Sequence, residues 1–389
     1  MATMTMTGAP PSKGMPRVLG HYDCGIEGPT FVVTGGIHGN EPGGIVAGRN
    51  VLRVLSEAKL PLRGSLTVLA GNLAALEREV RYCDQDLNRL WTPRLVAEVA
   101  ERNPTADSRE QREQRELLTE IAALIDRSRG DFVLLDLHSS SGDGAPFVCM
   151  GDTLRNRRVA FALPLPVILG LEETIDGALL DWLYERGHVA VAVEGGRHDD
   201  ANTPKNLEAA IWIALVAAGC LDAAMVPCYA DHVRQLERAS KGIARVLEIR
   251  YREVLEPGDD FRMMPGFKGF DRVEKGQVLA HKNGVELRAS ERCRILLPLY
   301  QGQGSDGYFL ARRVRRFWLR LSALLRRLHV SALFPLLPGI ARHATTPDAF
   351  VGRRGRRLER LSVDLFHLLG YRRRRPQGDI EVFTRRRER

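Results

Sequence analysis

A histidine and a glutamate three residues apart, His38 and Glu41, follow a short apolar segment that ends in two glycines. Residues 31–34 are few and mostly β-branched, which predicts a strand, and Pro42 is typical of the first turn of a helix. Imidazole and carboxylate groups together are ligands that suit Zn²⁺. Such a pair also occurs in purely structural contacts, so a metal site needs a further ligand from elsewhere in the chain.

His138 is the best candidate for the third ligand, because it ends a second apolar run that begins at Phe132. Asp136 lies two residues earlier, on the same face of the predicted strand, and could orient a metal ligand. The alternative is a histidine that ends a strand without binding metal. Two histidines and one glutamate with an open fourth position would form a catalytic rather than a structural zinc site.

A dense charged loop carries Arg81, Asn88 and Arg89. Guanidinium groups bind carboxylates through two parallel hydrogen bonds, so this loop could hold an anionic part of a substrate. The alternative is a solvated loop whose arginines pair with its own Asp84 and Asp86.

Glu194 follows the buried run Val189–Val193 and precedes two glycines that leave room around it. A carboxylate in this position suits a general base beside a metal site. A structural ion pair between Glu194 and Arg197 is the alternative, and His198 is a rival metal ligand.

Short apolar runs alternate with helical patterns over residues 30–220, which predicts an α/β fold with a mixed, largely parallel sheet flanked by helices. Ligands of such sheets collect at the carboxyl ends of the strands, where these candidate residues lie. The predicted strands are Phe31–Ile37, Leu66–Ala70, Phe132–Leu137 and Val189–Val193, and the predicted helices are Gly44–Leu55, Thr105–Arg127, Ile175–Arg186 and Asn206–Ala218.

Three domains are predicted: a catalytic domain over residues 1–235, a small β-barrel-like domain over 236–312 and an Arg-rich, helical extension over 313–389. Short strand-like runs and the hairpin signal Asn283-Gly284 indicate the β domain, which we expect to shape the entrance of the site. A short helix is predicted around Leu358–Leu369.

The net charge of +9 is unevenly distributed. Residues 311–389 contain 21 arginines, no lysine and six acidic residues, a net charge of +15, which leaves −6 for residues 1–310. The basic extension could pack on the acidic body or on a second subunit, lie on an anionic membrane surface, or bind nucleic acid. The six scattered cysteines, without a Cys-x-x-Cys motif, and the lack of a signal-like start predict a cytoplasmic protein with reduced thiols.

Four motifs, in this order along the chain, resemble those of the succinylglutamate desuccinylase/aspartoacylase family. Its members are zinc hydrolases with a carboxypeptidase-like fold, and the resemblance covers about residues 17–310. The motifs are Gly36-Ile37-His38-Gly39-Asn40-Glu41, Arg81-Tyr82 followed by Asp86-Leu87-Asn88-Arg89, Asp136-Leu137-His138-Ser139, and Val193-Glu194-Gly195-Gly196.

The resemblance implies one zinc ion per chain, bound by His38, Glu41 and His138. It also implies that Glu194 activates the zinc-bound water and then protonates the leaving amine, while Arg81 stabilises the oxyanion. The residues implied to hold a carboxylate of the substrate are Asn88 and Arg89.

The function predicted on this basis is hydrolysis of the amide bond of a small N-acyl amino acid. Two alternatives stay open. The first is a metallocarboxypeptidase, in which the arginine and amide side chains hold a peptide C-terminus. The second is a non-catalytic zinc- or ligand-binding protein that its basic extension tethers to a membrane or a partner.

Overall fold

The structure, a computed structural model, describes residues 3–6, 14–337, 340–343, 346, 349–353, 365–377 and 380–386. The strands are β1 (Thr3–Met6), β2 (Val18–Asp23), β3 (Ile26–Gly35), β4 (Arg63–Ala70), β5 (Phe132–Ser140), β6 (Phe147–Cys149), β7 (Val167–Leu169), β8 (Val189–Arg197), β9 (Val246–Val254), β10 (Phe261–Met263), β11 (Arg272–Val273), β12 (Val278–Lys282), β13 (Val285–Arg288), β14 (Cys293–Leu296), β15 (Asp306–Arg313), β16 (Ile340–Arg342), β17 (Ala349–Arg353), β18 (Arg373–Gln377) and β19 (Ile380–Thr384). The helices are α1 (Gly43–Glu57), α2 (Leu73–Arg78), α3 (Pro93–Glu101), α4 (Arg109–Asp126), α5 (Leu154–Ala162), α6 (Leu171–Thr174), α7 (Leu179–Glu185), α8 (Thr203–Ala218), α9 (Tyr229–Ala239) and α10 (Arg316–Arg327).

A 12-stranded mixed sheet in the order β1-β2-β4-β3-β5-β8-β6-β7-β9-β15-β14-β11 forms the centre of the fold. Its middle strands β4, β3, β5 and β8 are parallel. The predicted fold class, a mixed α/β sheet flanked by helices, is therefore confirmed.

Strand residues alternate between two apolar layers, one on each face of this sheet. Val33 and Leu135 pack into the layer that contains α1 and α8, whereas Val32 and Leu134 pack into the layer that contains α4 and α7. Because helices cover both faces, the central residues of these parallel strands are buried and mostly apolar, as the sequence predicts.

The β-rich segment after α9 continues the central sheet. β7 pairs in parallel with β9, and β9 pairs with β15. Only β10, β12 and β13 form a separate three-stranded sheet within this segment. The boundaries of the three predicted domains stay a prediction, and the residues predicted to form a separate barrel are physically joined to the catalytic sheet.

The helix predicted over Ile175–Arg186 begins four residues later, at Leu179. Gly177 has a φ of +79°, and a Cβ at this position would meet the backbone oxygen of Arg89 at 2.3 Å. Glycine is needed at this close approach, and it interrupts the helix. The segment before α7 is consequently packed against the charged loop of the candidate site.

The described part of the C-terminal extension begins with α10 and the 3₁₀ helix Val330–Leu336, and residues 365–368 are also helical. Other described residues of the extension form a four-stranded sheet in the order β16-β17-β19-β18. Phe350 and Phe383 of this sheet pack into an aromatic cluster, and burial of these rings outweighs the helical preference of the leucines and arginines nearby. The aromatic cluster contains Phe334, Phe350, Phe366, Tyr371 and Phe383. The helix predicted around Leu358–Leu369 lies mostly outside the described residues.

One buried carboxylate joins the extension to the catalytic sheet. Asp152 accepts hydrogen bonds from Arg157 of α5 at 2.6 Å, from Arg326 of α10 at 2.7 Å and from Arg372 at 2.9 Å. Burial opposes its ionisation, but the three guanidinium groups hold the pKa of Asp152 well below its usual range. The predicted packing of the basic extension on the body is thus observed in the described residues.

Within the described residues, no helix is both long and apolar enough to cross a bilayer.

Replacing Asp152 by Asn is expected to lower the free energy of unfolding by about 3–5 kcal/mol, because it leaves buried guanidinium groups without their carboxylate. Urea denaturation followed by circular dichroism measures the loss. Asp222→Asn is the matched control, since its 3.8 Å pair with Arg63 is exposed and should contribute less than about 1 kcal/mol. Equal midpoints for the two variants would contradict the anchoring role.

The same contacts predict a loss of stability in acid. The lowered pKa of Asp152 means that its ionised form contributes stability above pH 3.8, and that this contribution is lost as the pH falls below that value. Asp152→Asn should therefore flatten the acid limb of the stability curve between pH 5 and 3.

Candidate active site

The connection from β3 to α1 carries the first two candidate ligands. Its tight path depends on Gly39, where a Cβ would meet the backbone of Ala75 in α2 at 2.1 Å. The N–H of Glu41 donates to the carbonyl oxygen of His38 at 3.1 Å, which closes the turn. Both side chains are buried, at 5% and 2% exposure, so the short loop holds an imidazole and a carboxylate away from solvent.

Strand β5 supplies the third candidate. His138 lies in β5, whose neighbour β8 places Glu194 directly opposite in the parallel register. On the other side of β5, Asp136 stands opposite Thr34 of β3, and the Thr34 hydroxyl donates to its carboxylate at 2.6 Å. The parallel pairing of three strands thus gathers residues that are far apart in sequence.

His38, Glu41 and His138 form a buried cluster in which one donor atom of each lies within 4.8 Å of the others. One oxygen of Glu41 is 2.8 Å from Nδ1 of His38, and the other is 3.1 Å from Nδ1 of His138. The backbone N–H of Ser139 also donates to Glu41, at 3.0 Å. The structure brings together the three residues that the sequence predicted as zinc ligands.

A second carboxylate contacts the far nitrogen of each histidine. Nε2 of His138 is 2.8 Å from Asp136, and Nε2 of His38 is 3.2 Å from Asp86. Carboxylates in this position fix the ring orientation of metal-binding histidines and leave Nδ1 as the ligand atom. The orienting position predicted for Asp136 is observed. Asp86 was not predicted in this role, although it lies in the motif that precedes Asn88.

The electrostatics of the cluster favour a cation between the three side chains. Burial opposes ionisation of Glu41, but His38 and His138 hold its pKa well below the usual range. Burial likewise opposes protonation of His138, yet Asp136 and Glu41 raise its pKa well above the ordinary value. Both shifts have the same cause, because the buried carboxylates around the histidines attract positive charge. The donor set and its surroundings fit Zn²⁺.

Glu194 lies beside this cluster and lines the same cleft. Its Oε2 atom is buried without a hydrogen-bond partner among the described residues. Burial raises the pKa of Glu194 to about 7, and the nearby negative charge of Glu41 adds to this effect. The alternative ion pair is not formed, because Arg197 contacts Asp143 at 2.9 Å instead. A carboxyl that titrates near neutrality can both accept and donate a proton.

The predicted rival ligand, His198, lines the cleft but lies outside the ligand cluster. Its Nδ1 is 2.8 Å from the hydroxyl of Ser139, and its Nε2 is 3.4 Å from the side-chain oxygen of Gln301. Burial lowers the pKa of His198, which favours the neutral ring. His198 is placed to contact a ligand in the cleft.

Arg81 lies close to the candidate ligands. It is 3.5 Å from Glu41 and 3.2 Å from Asp86. Burial opposes its charge, but Asp86 and Glu41 outweigh this effect and raise the pKa of Arg81. A fixed cation therefore stands next to the ligand cluster at the pH of any ordinary assay.

Asn88 and Arg89 also line the cleft. The side-chain oxygen of Asn88 accepts from the N–H of Leu179 at 2.9 Å, which leaves its amide nitrogen to donate to a ligand. Arg89 pairs with Asp306 at the start of β15, at 2.8 Å. Asp306 was not predicted as part of the site, because it comes from a turn 217 residues further along the chain.

The walls of the cleft are largely apolar. Several of them come from the segment between β14 and β15, so the β-rich region shapes the site, as predicted. The apolar lining residues are Cys149, Leu171, Ile175, Ala178, Leu180, Ala192, Leu297, Pro298, Leu299 and Phe309.

The loop that carries Arg81 and Asp86 is held by a buried glutamate of α4. Glu110 is fully buried and accepts hydrogen bonds from the backbone N–H groups of Cys83, Asp84 and Gln85, at 2.7 to 3.3 Å. A carboxylate bonded to several N–H groups fixes the loop firmly. Motif spacing did not predict this support.

The fold and the site define an α/β protein with two histidines and a glutamate that could hold a metal ion at the carboxyl ends of its parallel strands. Residues 27–151 match the model of the succinylglutamate desuccinylase/aspartoacylase catalytic domain. The matched residues contain three of the four motifs, so the family that these motifs predicted is confirmed for this catalytic domain.

Curated relatives match over part of their length. An N-acyl-aromatic-L-amino acid amidohydrolase (carboxylate-forming) of Xenopus laevis is 36% identical over 114 residues, which are 29% of this chain and 34% of the relative. A succinylglutamate desuccinylase of Burkholderia thailandensis is 33% identical over 114 residues, 28% of this chain and 31% of the relative. The chain therefore spans about a third of the length of these relatives.

Solved structures show the same fold over a larger share of the chain. Succinylglutamate desuccinylase from Vibrio cholerae matches with a TM-score of 0.55 and 16% identity, over 81% of this chain and 91% of that chain. The product-bound ectoine utilization protein EutE (DoeB) from Ruegeria pomeroyi matches with a TM-score of 0.53 and 21% identity, over 73% and 84% of the two chains. The likeness extends well beyond the matched catalytic domain.

Proposed function

We propose that this protein is a zinc-dependent hydrolase that cleaves the amide bond of a small N-acyl amino acid to give a carboxylate and a free amino acid. The observation that carries the proposal is the buried cluster of His38, Glu41 and His138 beside the unpaired carboxyl of Glu194. The family and the names of its relatives support the reaction class. When bound, zinc supplies Lewis-acid polarisation and lowers the pKa of water from about 15.7 to about 7.

Glu194 handles the protons of the reaction. As its carboxylate, it accepts a proton from the attacking water at Oε2, while the water oxygen forms a bond with the amide carbon. As the carboxyl group, it then donates that proton to the amide nitrogen, and the C–N bond breaks. The pKa of about 7 suits both steps, because neither protonation state is strongly preferred at neutral pH.

Arg81 stabilises the negative charge that develops on the amide oxygen. A fixed cation in a buried site needs no reorganisation during the reaction, and loss of one such donor costs about 3 kcal/mol in other hydrolases. Glu41 and Asp86 hold the guanidinium in place, so its position is set before the substrate arrives.

Asn88 and Arg89 bind the α-carboxylate of the amino acid. The guanidinium of Arg89 pairs with Asp306, so the substrate carboxylate shares this cation with a protein carboxylate. The remaining cleft lining combines apolar walls with the neutral His198, Gln301 and several serine hydroxyls, and no lysine or third arginine lies among the described lining residues. This arrangement favours substrates with one carboxylate and apolar substituents over N-succinylglutamate, which carries three carboxylates.

A panel of N-acyl amino acids tests this function. With zinc bound, kcat/KM for N-acetylphenylalanine and N-acetylleucine should exceed that for N-succinylglutamate by about 100-fold. The reason is that the additional carboxylates of N-succinylglutamate would lie unpaired against the apolar walls of the cleft. Chelation should remove the activity, and added zinc should restore it. Dipeptides with a free C-terminus serve as the control for carboxypeptidase activity. The proposal fails if zinc-loaded protein hydrolyses no member of the panel.

A further inference from the structure

Helix α10 packs on the body through a face that combines buried polar groups with the partly buried Leu319 and Leu325. Ser322 and Arg326 are buried, at 2% and 4% exposure. Arg157 of α5 donates to the hydroxyl of Ser322 at 3.1 Å and to the backbone oxygen of Leu319 at 3.0 Å, and Arg326 pairs with Asp152. A surface helix of a globular protein ordinarily turns its large apolar side chains to the core, whereas α10 and the residue after it leave four of them exposed.

The apolar stripe of α10 consequently faces solvent. Phe317, Leu321, Leu324 and Leu328 follow one another at helical spacing, and three of them are exposed at 64%, 53% and 64%. Seven of the fourteen exposed large hydrophobic side chains in the described part of the protein lie within residues 317–337. The seven are Phe317, Trp318, Leu324, Leu328, Leu333, Leu336 and Leu337.

A basic stripe runs along one side of the apolar one. Arg316, Arg320 and Arg327 share a face of the helix, are exposed, and form no ion pair with another described residue. Residues 312–347 contain no aspartate or glutamate. The exposed surface of α10 and the following 3₁₀ helix is therefore apolar at its centre and positively charged at its edge.

We infer that this surface docks on an anionic lipid bilayer. The helix would lie parallel to the bilayer, with Phe317, Leu324 and Leu328 among the acyl chains and the three arginines at the level of the phosphate groups. The inference concerns a surface other than the cleft and does not depend on the proposed hydrolysis.

The charge of the surface distinguishes a lipid partner from other occupants. In a self-complementary contact between two copies, arginines would meet an arginine-rich surface without any acid to neutralise them. Nucleic acid would engage the arginines but leave the aliphatic leucines exposed to water. An anionic bilayer satisfies both stripes together, because it offers phosphate charge immediately above hydrocarbon.

Trp318 provides a direct signal in the full-length protein. It is 49% exposed, whereas the other three tryptophans, at 0%, 3% and 1% exposure, are buried. Vesicles of equal parts phosphatidylglycerol and phosphatidylcholine should protect Trp318 from quenching by acrylamide and shift its emission to the blue. Vesicles of phosphatidylcholine alone should give little change. Trp318→Phe should abolish the fluorescence change while the protein still sediments with the anionic vesicles.

Two triple variants separate the contributions of the stripes. Replacing Arg316, Arg320 and Arg327 by Gln should weaken binding to the anionic vesicles by about fivefold per arginine, hence about 100-fold in total. Replacing Phe317, Leu324 and Leu328 by Gln should weaken it to a similar degree. The matched controls are the exposed triple Arg129→Gln, Arg238→Gln and Arg262→Gln, and the exposed pair Met225→Gln and Val285→Gln.

Thermal unfolding of every variant verifies that the fold is intact, and the controls should bind as the parent does. Absence of parent binding to anionic vesicles would overturn the inference. The inference would also be overturned if the apolar variant bound the anionic vesicles as tightly as the parent does. That result would indicate that the arginines bind phosphate groups alone, as they would in nucleic acid. A third contrary outcome is that the parent self-associates in sedimentation velocity and does not bind vesicles. If the apolar variant abolished that self-association, a second copy of the chain would be the occupant of this surface.

Discussion

Glu194→Gln is expected to lower kcat for the preferred N-acyl amino acid by about 10³-fold, because the amide cannot accept a proton from the attacking water. Bound zinc should stay at the level of the parent, since Glu194 is not one of the three clustered ligand atoms. Steady-state kinetics and metal analysis of the same preparation measure the two quantities.

Glu173→Gln is the matched control for this experiment. Glu173 also has a buried carboxylate oxygen without a described partner, but it does not line the cleft. Replacing Glu173 should leave kcat within about twofold of the parental value, as expected for a position outside the site. If Glu194→Gln retained parental kcat, the proton transfer assigned to Glu194 would be wrong.

Glu41→Gln is expected to abolish zinc retention and activity together. Glu41 joins the two histidines through its two oxygens, and Gln would replace one charged oxygen with an N–H donor. Loss of a carboxylate that only contacts a metal-binding histidine costs about 10–100-fold in metal affinity. Loss of a carboxylate that binds the metal directly should cost more. Zinc binding measured by calorimetry and hydrolysis measured in excess zinc provide the two readouts.

Glu113→Gln is a suitable control, because Glu113 is a buried glutamate that accepts backbone N–H bonds from Leu73 and Ala74, outside the ligand cluster. This variant should bind zinc as the parent does, even if it unfolds more easily. Parental zinc affinity in Glu41→Gln would contradict the assignment of Glu41 as a ligand.

The sequence predicted the clustered residues because strand ends carry them. His38 follows β3, and His138 and Glu194 lie opposite each other on β5 and β8. Once three buried runs are assigned to parallel strands, the geometry of the sheet brings their ends together. Local sequence is sufficient for this inference, since each run is predominantly apolar.

The contacts that the sequence did not predict come from loops distant along the chain. Asp306 reaches Arg89, and Asp86 reaches His38, because of how the loops fold over the sheet, and no periodicity encodes that path. The four-stranded C-terminal sheet was missed for a similar reason. Leucine and arginine favour a helix locally, whereas the buried aromatic cluster, including Phe350 and Phe383, depends on tertiary packing.

The zinc stoichiometry of active protein tests the central claim most directly. Protein freed of metal with a chelator is titrated with zinc, while bound metal and hydrolysis of N-acetylphenylalanine are followed together. We predict that activity rises linearly with zinc and reaches its maximum at one ion per chain, and that Glu41→Gln shows neither binding nor activity. Full activity in the metal-free protein, or tight zinc binding that Glu41→Gln leaves intact, would contradict the proposed site.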